Sequence, residues 1–410
     1  MRTLVILGSG TAGTIAANKL RRRLARDDWE ITIVEQRGAH YYQPAFLFIP
    51  FGRYRPTRAR REAARYVPDG VTRVRGEVER VDPDARTVSL LDGSELHYDF
   101  LIIATGTSPH PDETPGMAED WHGAVHSFYT YDDALALREA IARFDRGRLV
   151  VHITEMPIKC PVAPIEFALL ADDHFRRRGI RDDVEITFVT PLDGAFTKPI
   201  ASATFGTLLE DRGISVEPDF MIERIDAQGR RIVSYDEREV PYDLLVTVPL
   251  NRGAAFVGRS GLGDELDFVT VDKGTLRHTT YDTIFAVGDA ANVPTSKAGA
   301  VAHFEMDVFP DQFARMVEGK EPTETFDGHA TCFIESGGGK AMLIDFNYET
   351  QPLPGTFPYP LVGPLPLLKE SRLNHLGKLG FEWVYWSMLL AGRPLPLPAQ
   401  MSMKGKKAPA

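Results

Sequence analysis

The chain has 410 residues, 43% hydrophobic and 25% charged, the balance of a folded globular protein. At roughly 150 residues per domain, that length implies two to three domains. Lys+Arg 47 against Asp+Glu 57 gives −10, which argues against a nucleic-acid binder, and two cysteines are too few for a secreted disulfide framework. Met1-Arg2 runs straight into the apolar Thr3-Leu4-Val5-Ile6-Leu7, so no signal peptide is expected and the chain is read as made in the cytoplasm. No stretch reaches the roughly 18 consecutive apolar residues of a membrane-spanning helix, which leaves attachment to a membrane surface open.

Residues 1–35 read as a βαβ unit: strand 3–7, a glycine turn, a helix to about Leu24, and a strand over 31–35. Short alternating runs at 71–74, 77–81, 87–91 and 97–103, divided by turns such as Asp82-Pro83-Asp84 and Asp92-Gly93, predict an antiparallel meander. A second α/β segment opens at Arg148–Ile153 and continues through a helix near 164–178 and a strand over 184–189. Residues 213–249 are β-rich, and a strand at 283–287 runs into Gly288-Asp289. From about 321 prolines and aromatics accumulate, two of the four tryptophans (Trp383 and Trp386) stand close together, and the last dozen residues look disordered. The expected fold class is α/β, with two Rossmann-like domains of FAD/NAD(P) type and a C-terminal amphipathic membrane-interface region. The first domain takes residues 1–110 and 251–320, the second 111–250, and the C-terminal region 321–410.

Gly8-Ser9-Gly10-Thr11-Ala12-Gly13 follows a strand and opens a helix, the setting that makes a glycine fingerprint a dinucleotide site. Gly8 permits the tight turn, Gly10 lets a pyrophosphate approach the backbone, and Gly13 allows close helix–strand packing, with the phosphates on the helix N-terminus. Glu35 ends the next strand, where a carboxylate holds a ribose hydroxyl and repels a 2′-phosphate. Where a second fingerprint would stand, Leu149–Ile153 runs into Thr154-Glu155-Met156-Pro157-Ile158-Lys159-Cys160-Pro161, which has no glycine and two prolines that remove amide donors. A nicotinamide dinucleotide is not expected there. Cys160, just before a helix and beside Lys159, is expected to carry a lowered pKa, whereas Cys332 has no local activating neighbour.

The fingerprint, Ala104-Thr105-Gly106 after a strand, and Gly288-Asp289 after another resemble the two-dinucleotide-binding-domain flavoproteins. Lys159-Cys160-Pro161 with Ala163-Pro164 and Glu166 in place of the second fingerprint, and Cys332 late in the chain, resemble the sulfide:quinone oxidoreductases and the related flavoprotein subunit of flavocytochrome c sulfide dehydrogenase. The resemblance implies FAD as cofactor, sulfide and a lipid quinone as partners, and a Cys160–Cys332 pair cycling through a disulfide or persulfide. It places Gly8, Gly10, Thr11, Ala12, Gly13, Glu35, Gln43, Pro44, Val78, Ala104, Thr105, Gly106, Gly288, Asp289 and Lys297 at the cofactor, Lys297 as a positive charge beside the reduced flavin. Glu166 is the candidate proton acceptor. In many quinone-linked members a third cysteine stands in a Ser-x-Cys-Thr segment; here Ser127-Phe128-Tyr129-Thr130 has Tyr129 in that place.

Residues 357–397 hold Phe357-Pro358-Tyr359, Leu365–Leu368 and Phe381–Leu390, with Lys369, Arg372 and Lys378 between them. Over 365–410, seven Lys/Arg face two Glu, a local +5 in an acidic protein. An aromatic, basic and amphipathic segment suits interfacial membrane binding, and hence a peripheral (monotopic) location. The other use of such a face is contact within the protein or in a homo-oligomer. Phe333, Phe381 and Tyr385 are the residues expected to stack on a quinone. Two other activities stay open: a type II NADH:quinone dehydrogenase, and a persulfide-carrying flavoprotein without quinone turnover.

Overall fold

The computed structural model describes residues 1–358 and 365–407, so that Tyr359 and residues 408–410 lie outside the described residues. In chain order the elements are β1 (Arg2–Leu7), α1 (Thr11–Arg23), β2 (Trp29–Glu35), β3 (Thr72–Arg75), β4 (Phe100–Ile103), β5 (Val125–His126), α2 (Tyr131–Arg143), β6 (Gly147–Ile153), α3 (Ala163–Arg178), β7 (Val184–Val189), α4 (Pro199–Asp211) and β8 (Ile214–Glu217). There follow β9 (Leu244–Val248), β10 (Ile284–Ala286), α5 (Gly299–Met316), β11 (Ala330–Gly337), β12 (Lys340–Phe346) and α6 (Arg372–Val384).

The first sheet runs β10-β4-β1-β2-β3 and is parallel throughout. Leu4-Val5-Ile6-Leu7 and Leu101-Ile102-Ile103 are apolar without alternation because these strands are covered on both faces and fully buried. Strand β10 arrives from far along the chain to pair with β4, which brings Gly288 to the end of the sheet where the fingerprint lies. The second sheet runs β5-β9-β6-β7-β8, again parallel. The meander expected over 70–103 is smaller than its sequence pattern suggested. Only Val78–Asp82, Thr87–Leu90 and Glu95–His97 form an antiparallel sheet, while β3 and β4 belong to the parallel one. The uninterrupted apolar run of β4 is the mark of its central place; β3 alternates because it is an edge.

The C-terminal layer is the antiparallel hairpin β11–β12, with Cys332 opposite Ile344, and the helix α6 packed on it. The hairpin lies tight against α3: a Cβ on Gly337 would stand 2.6 Å from Cβ of Asp173. The tail expected to be disordered is instead anchored as far as Lys407. Lys407 N–H bonds Pro354 O at 2.8 Å, and the buried Lys406 ammonium pairs with the buried Asp345 at 2.5 Å. Two charges desolvated together hold such a segment firmly, because withdrawing either would leave the other unpaired. No helix among the described residues is long and apolar enough to cross a membrane.

Candidate active site

The three fingerprint glycines have separate geometries. Gly8 has φ +102°, in the region that favours glycine, and a Cβ there would meet Ala104 O at 2.5 Å. A Cβ on Gly13 would lie 2.0 Å from Gly8 O, so helix and turn touch backbone to backbone. A Cβ on Gly10 would meet nothing within 4 Å. Gly10 is also the N-cap of α1 and offers no capping side chain, so the first-turn amides, those of Thr11 and Ala12 included, have no side-chain cap. Ala104, Thr105 and Gly106 follow β4 beside this cradle, and the buried Thr105 Oγ1 has no hydrogen-bond partner among the described residues. Uncapped amides, an open glycine and an orphaned hydroxyl fit a dinucleotide pyrophosphate.

Glu35 is buried, its Oε1 accepting from Arg73 Nε and Nη2 at 3.1 and 2.9 Å. Its Oε2 has one bond, from Ser9 Oγ at 3.3 Å, and keeps lone pairs for a hydroxyl. Arg73 offsets the repulsion of a 2′-phosphate expected from Glu35 alone. Gly288 (φ +66°) bonds Glu305 Oε2 through its N–H at 2.6 Å, and burial pushes the Glu305 carboxyl up to about 8. Asp289 follows between Lys159 and Lys297; burial raises its carboxyl and the two lysines pull the other way. Lys297 is buried, donating from Nζ to Asp289 O and Ala291 O, both at 2.9 Å, and its burial takes it down to about 8. Val78 is half-buried at the start of its strand, and Gln43 and Pro44 are exposed in a turn behind the buried Tyr42.

Cys160 closes this cradle from the loop between β6 and α3. Its N–H donates to Lys297 O at 2.6 Å, its carbonyl accepts from Ala163 N–H at 2.8 Å and from Tyr129 Oη at 3.3 Å, and its φ is +49°. Tyr129 therefore stands beside the Cys160 backbone. A non-glycine residue held in left-handed backbone by three contacts is the kind of strain that accumulates at reactive positions. Both cysteines are free, Cys332 buried and Cys160 partly open. They share surroundings: each thiol feels Glu166 and Lys378, and Cys160 feels Cys332.

The expected depression of the Cys160 pKa is overturned. Burial, then Glu166 and Cys332, push its thiol well above the usual range, with Lys378 opposing, and burial takes Cys332 up to about 12. Helix α3 begins at Ala163 with Val162 as its cap, so Cys160 lies outside the first turn where the dipole acts. Lys159 is itself enclosed, stands 5.8 Å over the Tyr129 ring, and is lowered to about 8 by burial.

Glu166 is buried. Its Oε1 accepts the Glu335 N–H at 2.7 Å and the Lys378 ammonium, and burial leaves its carboxyl above the usual range although Lys378 pulls it down. Lys378 also donates to Phe333 O at 3.1 Å. In sequence it belongs with the positive charge of the C-terminal segment; the structure turns it inward. Next to it the buried Glu335 carboxylate takes His375 Nδ1 at 2.9 and 3.0 Å.

Helix α6 has two faces. At 100° per residue, Asn374, Lys378, Phe381 and, beyond its end, Tyr385 fall on one side and Leu376, Leu379 and Trp383 on the other. The outer three are 62, 52 and 65% exposed. Phe381 is half-buried, and Phe333 lies under the helix, so close that a Cβ on Gly377 would meet its Cζ at 2.9 Å. Tyr385 does not offer a free stacking surface. It is buried, its hydroxyl is 2.8 Å from Thr11 Oγ1 and 2.7 Å from His40 Nε2, and its ring packs on Tyr42 and Trp386. It ties the C-terminal segment to the fingerprint turn.

A family model described as pyridine nucleotide-disulphide oxidoreductase matches residues 2–303. A protein named sulfide:quinone oxidoreductase, mitochondrial, from Mus musculus is 27% identical, over 95% of this chain and 86% of that one. Its namesake in Dictyostelium discoideum is 28% identical over the same shares. The crystal structure of the sulfide:quinone oxidoreductase from Aquifex aeolicus superposes with a TM-score of 0.82 at 21% identity, covering 96% of this chain and 92% of that chain. The chain belongs to the pyridine nucleotide-disulphide oxidoreductase family, and its whole-length similarity within it is to the sulfide:quinone oxidoreductases.

Proposed function

We propose that the chain is an FAD-dependent sulfide:quinone oxidoreductase working through a Cys160–Cys332 pair. The observation that carries this reading is the meeting of both cysteines with the buried Glu166 at a loop hydrogen-bonded to Lys297, beside the Gly288-Asp289 turn. Gly8, Gly10, Thr11, Ala12 and Gly13 would hold the FAD pyrophosphate, Asp289 the ribityl side, and Glu35 the adenosine ribose. Bound FAD supplies the two-electron store between sulfide and quinone. The residues supply the sulfur chemistry. Hydrosulfide attacks the Cys160–Cys332 disulfide, so that one new S–S bond forms as a persulfide and the other cysteine leaves. A leaving thiolate whose pKa is raised is a poor leaving group unless protonated, and Glu166 is the acid within reach. A second hydrosulfide takes the outer sulfur away as hydrogen disulfide, which leaves two reduced cysteines. When their disulfide re-forms, its two electrons leave for the store that bound FAD would supply and Glu166 takes that proton back.

Anaerobic titration of the flavoprotein with sulfide, then quinone, tests this. Sulfide is expected to bleach the flavin band and quinone to restore it. Bleaching by NADH with none by sulfide would transfer the protein to the dehydrogenase reading, and sulfide binding without reduction of quinone would make it a persulfide carrier.

The outer face of α6 is the proposed membrane contact, with Phe333 and Phe381 beneath it as the quinone neighbours. Arg55 and Arg58 extend its charge: both are exposed, and Arg58 reaches Glu382 on α6 at 3.0 Å. Trp383→Ser is expected to weaken vesicle binding about 30-fold, from roughly 2 kcal/mol of lost burial. Activity toward a water-soluble quinone should stay unchanged. Equal sedimentation of variant and parent with vesicles would sink this placement.

A further inference from the structure

Two hydrosulfide ions become one hydrogen disulfide ion by losing two electrons and one proton. A quinone becomes a quinol by gaining two electrons and two protons. Each turnover of the proposed reaction therefore draws one proton from outside, and the buried Glu166 has no direct access to solvent.

The side chains around it form a line to the surface. Glu166 bonds Lys378, and Glu335 acts on both through space while its own N–H is the second donor to Glu166. The Glu335 carboxylate holds His375 Nδ1 through both oxygens. The His375 side chain is 25% exposed, whereas those of Lys378 and Glu335 are 11 and 2% exposed. His375 and Lys378 are three residues apart on α6, the spacing that puts both over the same stretch of β11. Glu335 is thus faced by His375 and Lys378 from α6 and by Glu166 from α3, with Cys332 three residues before it on β11. A stack of buried charge with one titratable end in solvent is unneeded for holding a hairpin that already pairs along its length with β12.

We propose that His375 and Glu335 are the proton inlet of the site, passing protons by way of Lys378 to Glu166 and the quinone beside it. His375 takes a proton from water on its exposed side and delivers one from Nδ1 to Glu335, returning to its first tautomer by ring rotation or exchange. Neither residue touches substrate; both act through Glu166 and Lys378. The proposal rests on the sulfide–quinone reading.

The decisive variant is His375→Asn. Asparagine can keep a hydrogen bond to Glu335 but cannot titrate, so the fold should be held while the inlet is closed. Turnover with sulfide and a water-soluble quinone is expected to fall about 100-fold, the lower end of what a positioned acid–base group contributes. The melting temperature should stay at that of the parent. In His375→Ala, added imidazole is expected to restore turnover in proportion to its concentration, whereas Glu335→Gln should lose turnover without such rescue. A pH-indicator dye should show proton uptake lagging behind flavin reoxidation in His375→Asn and following it in the parent. Parent-like turnover of His375→Asn, or losses in His375→Ala that imidazole leaves untouched, would overturn the inlet and leave the sulfide reading standing. A parent protein that sulfide does not bleach would instead remove the reading beneath it.

Discussion

Replacing Cys160 or Cys332 by serine is expected to abolish bleaching of the flavin by sulfide, lowering the rate about 10³-fold or more, as loss of a covalent nucleophile does elsewhere. The two single variants should be equally inert, and the double variant no worse than either. A disulfide that must be attacked, opened and re-formed is lost with one of its sulfurs. The FAD content of all three should match the parent, because the cradle is made by Gly8 to Gly13 and the Gly288-Asp289 turn. A serine variant bleached by sulfide at the parental rate would remove the thiols from the mechanism.

The same reading fixes how the reduced parent behaves toward alkylating agents. Both thiols are pushed upward by burial, Cys332 to about 12, so thiolate is scarce near pH 8. Iodoacetamide should label reduced Cys160 slowly at pH 8 and faster with each pH unit above it. Reactivity toward sulfide therefore lies in the oxidised pair, whose sulfur is the electrophile, and not in a resting thiolate. Fast labelling at pH 7 would restore the activated thiolate that local sequence suggests from Lys159 and a nearby helix.

That contrast shows what a sequence carries. The fingerprint, the strand before it and Glu35 after it are local, written within 35 residues, and each glycine proves to have the geometry its place in the pattern implies. The two cysteines were legible as a pair by resemblance. Their electrostatic setting was not, because it is made by Glu166, Glu335 and Lys378, brought together by the packing of α3, β11 and α6. Lys378 looked like surface charge between apolar residues, and only its place on the inner face of α6 makes it a partner of Glu166. Strand β3 reads as part of the meander because Thr72-Arg73-Val74-Arg75 alternates as meander strands do, and an edge strand of a parallel sheet alternates too. The tail reads as disordered on composition, since nothing near Lys406 in sequence announces Asp345.

The second large effect separates the cofactor from the fold, using two glycines three residues apart. Gly10→Ser should leave the apoprotein as stable as the parent. Gly10 has φ −71° and ψ −165°, backbone open to any residue, its Cβ position meets nothing within 4 Å, and serine is a favoured N-cap. The added side chain nevertheless fills the space that the pyrophosphate needs and competes for the first amides of α1. Losing two charge-assisted hydrogen bonds removes about 3 kcal/mol or more, roughly 100-fold or more in FAD affinity. Gly13→Ala should act in the opposite order. Its Cβ would stand 2.0 Å from Gly8 O, a backbone atom that cannot swing aside, so α1 must shift and the apoprotein itself is destabilised by about 1–3 kcal/mol. Flavin fluorescence on release and the apoprotein melting temperature read the two effects independently. FAD retained in Gly10→Ser at parental affinity would mean that the pyrophosphate does not lie over Gly10. An apoprotein melting temperature unchanged by Gly13→Ala would mean that α1 and the turn are not in backbone contact.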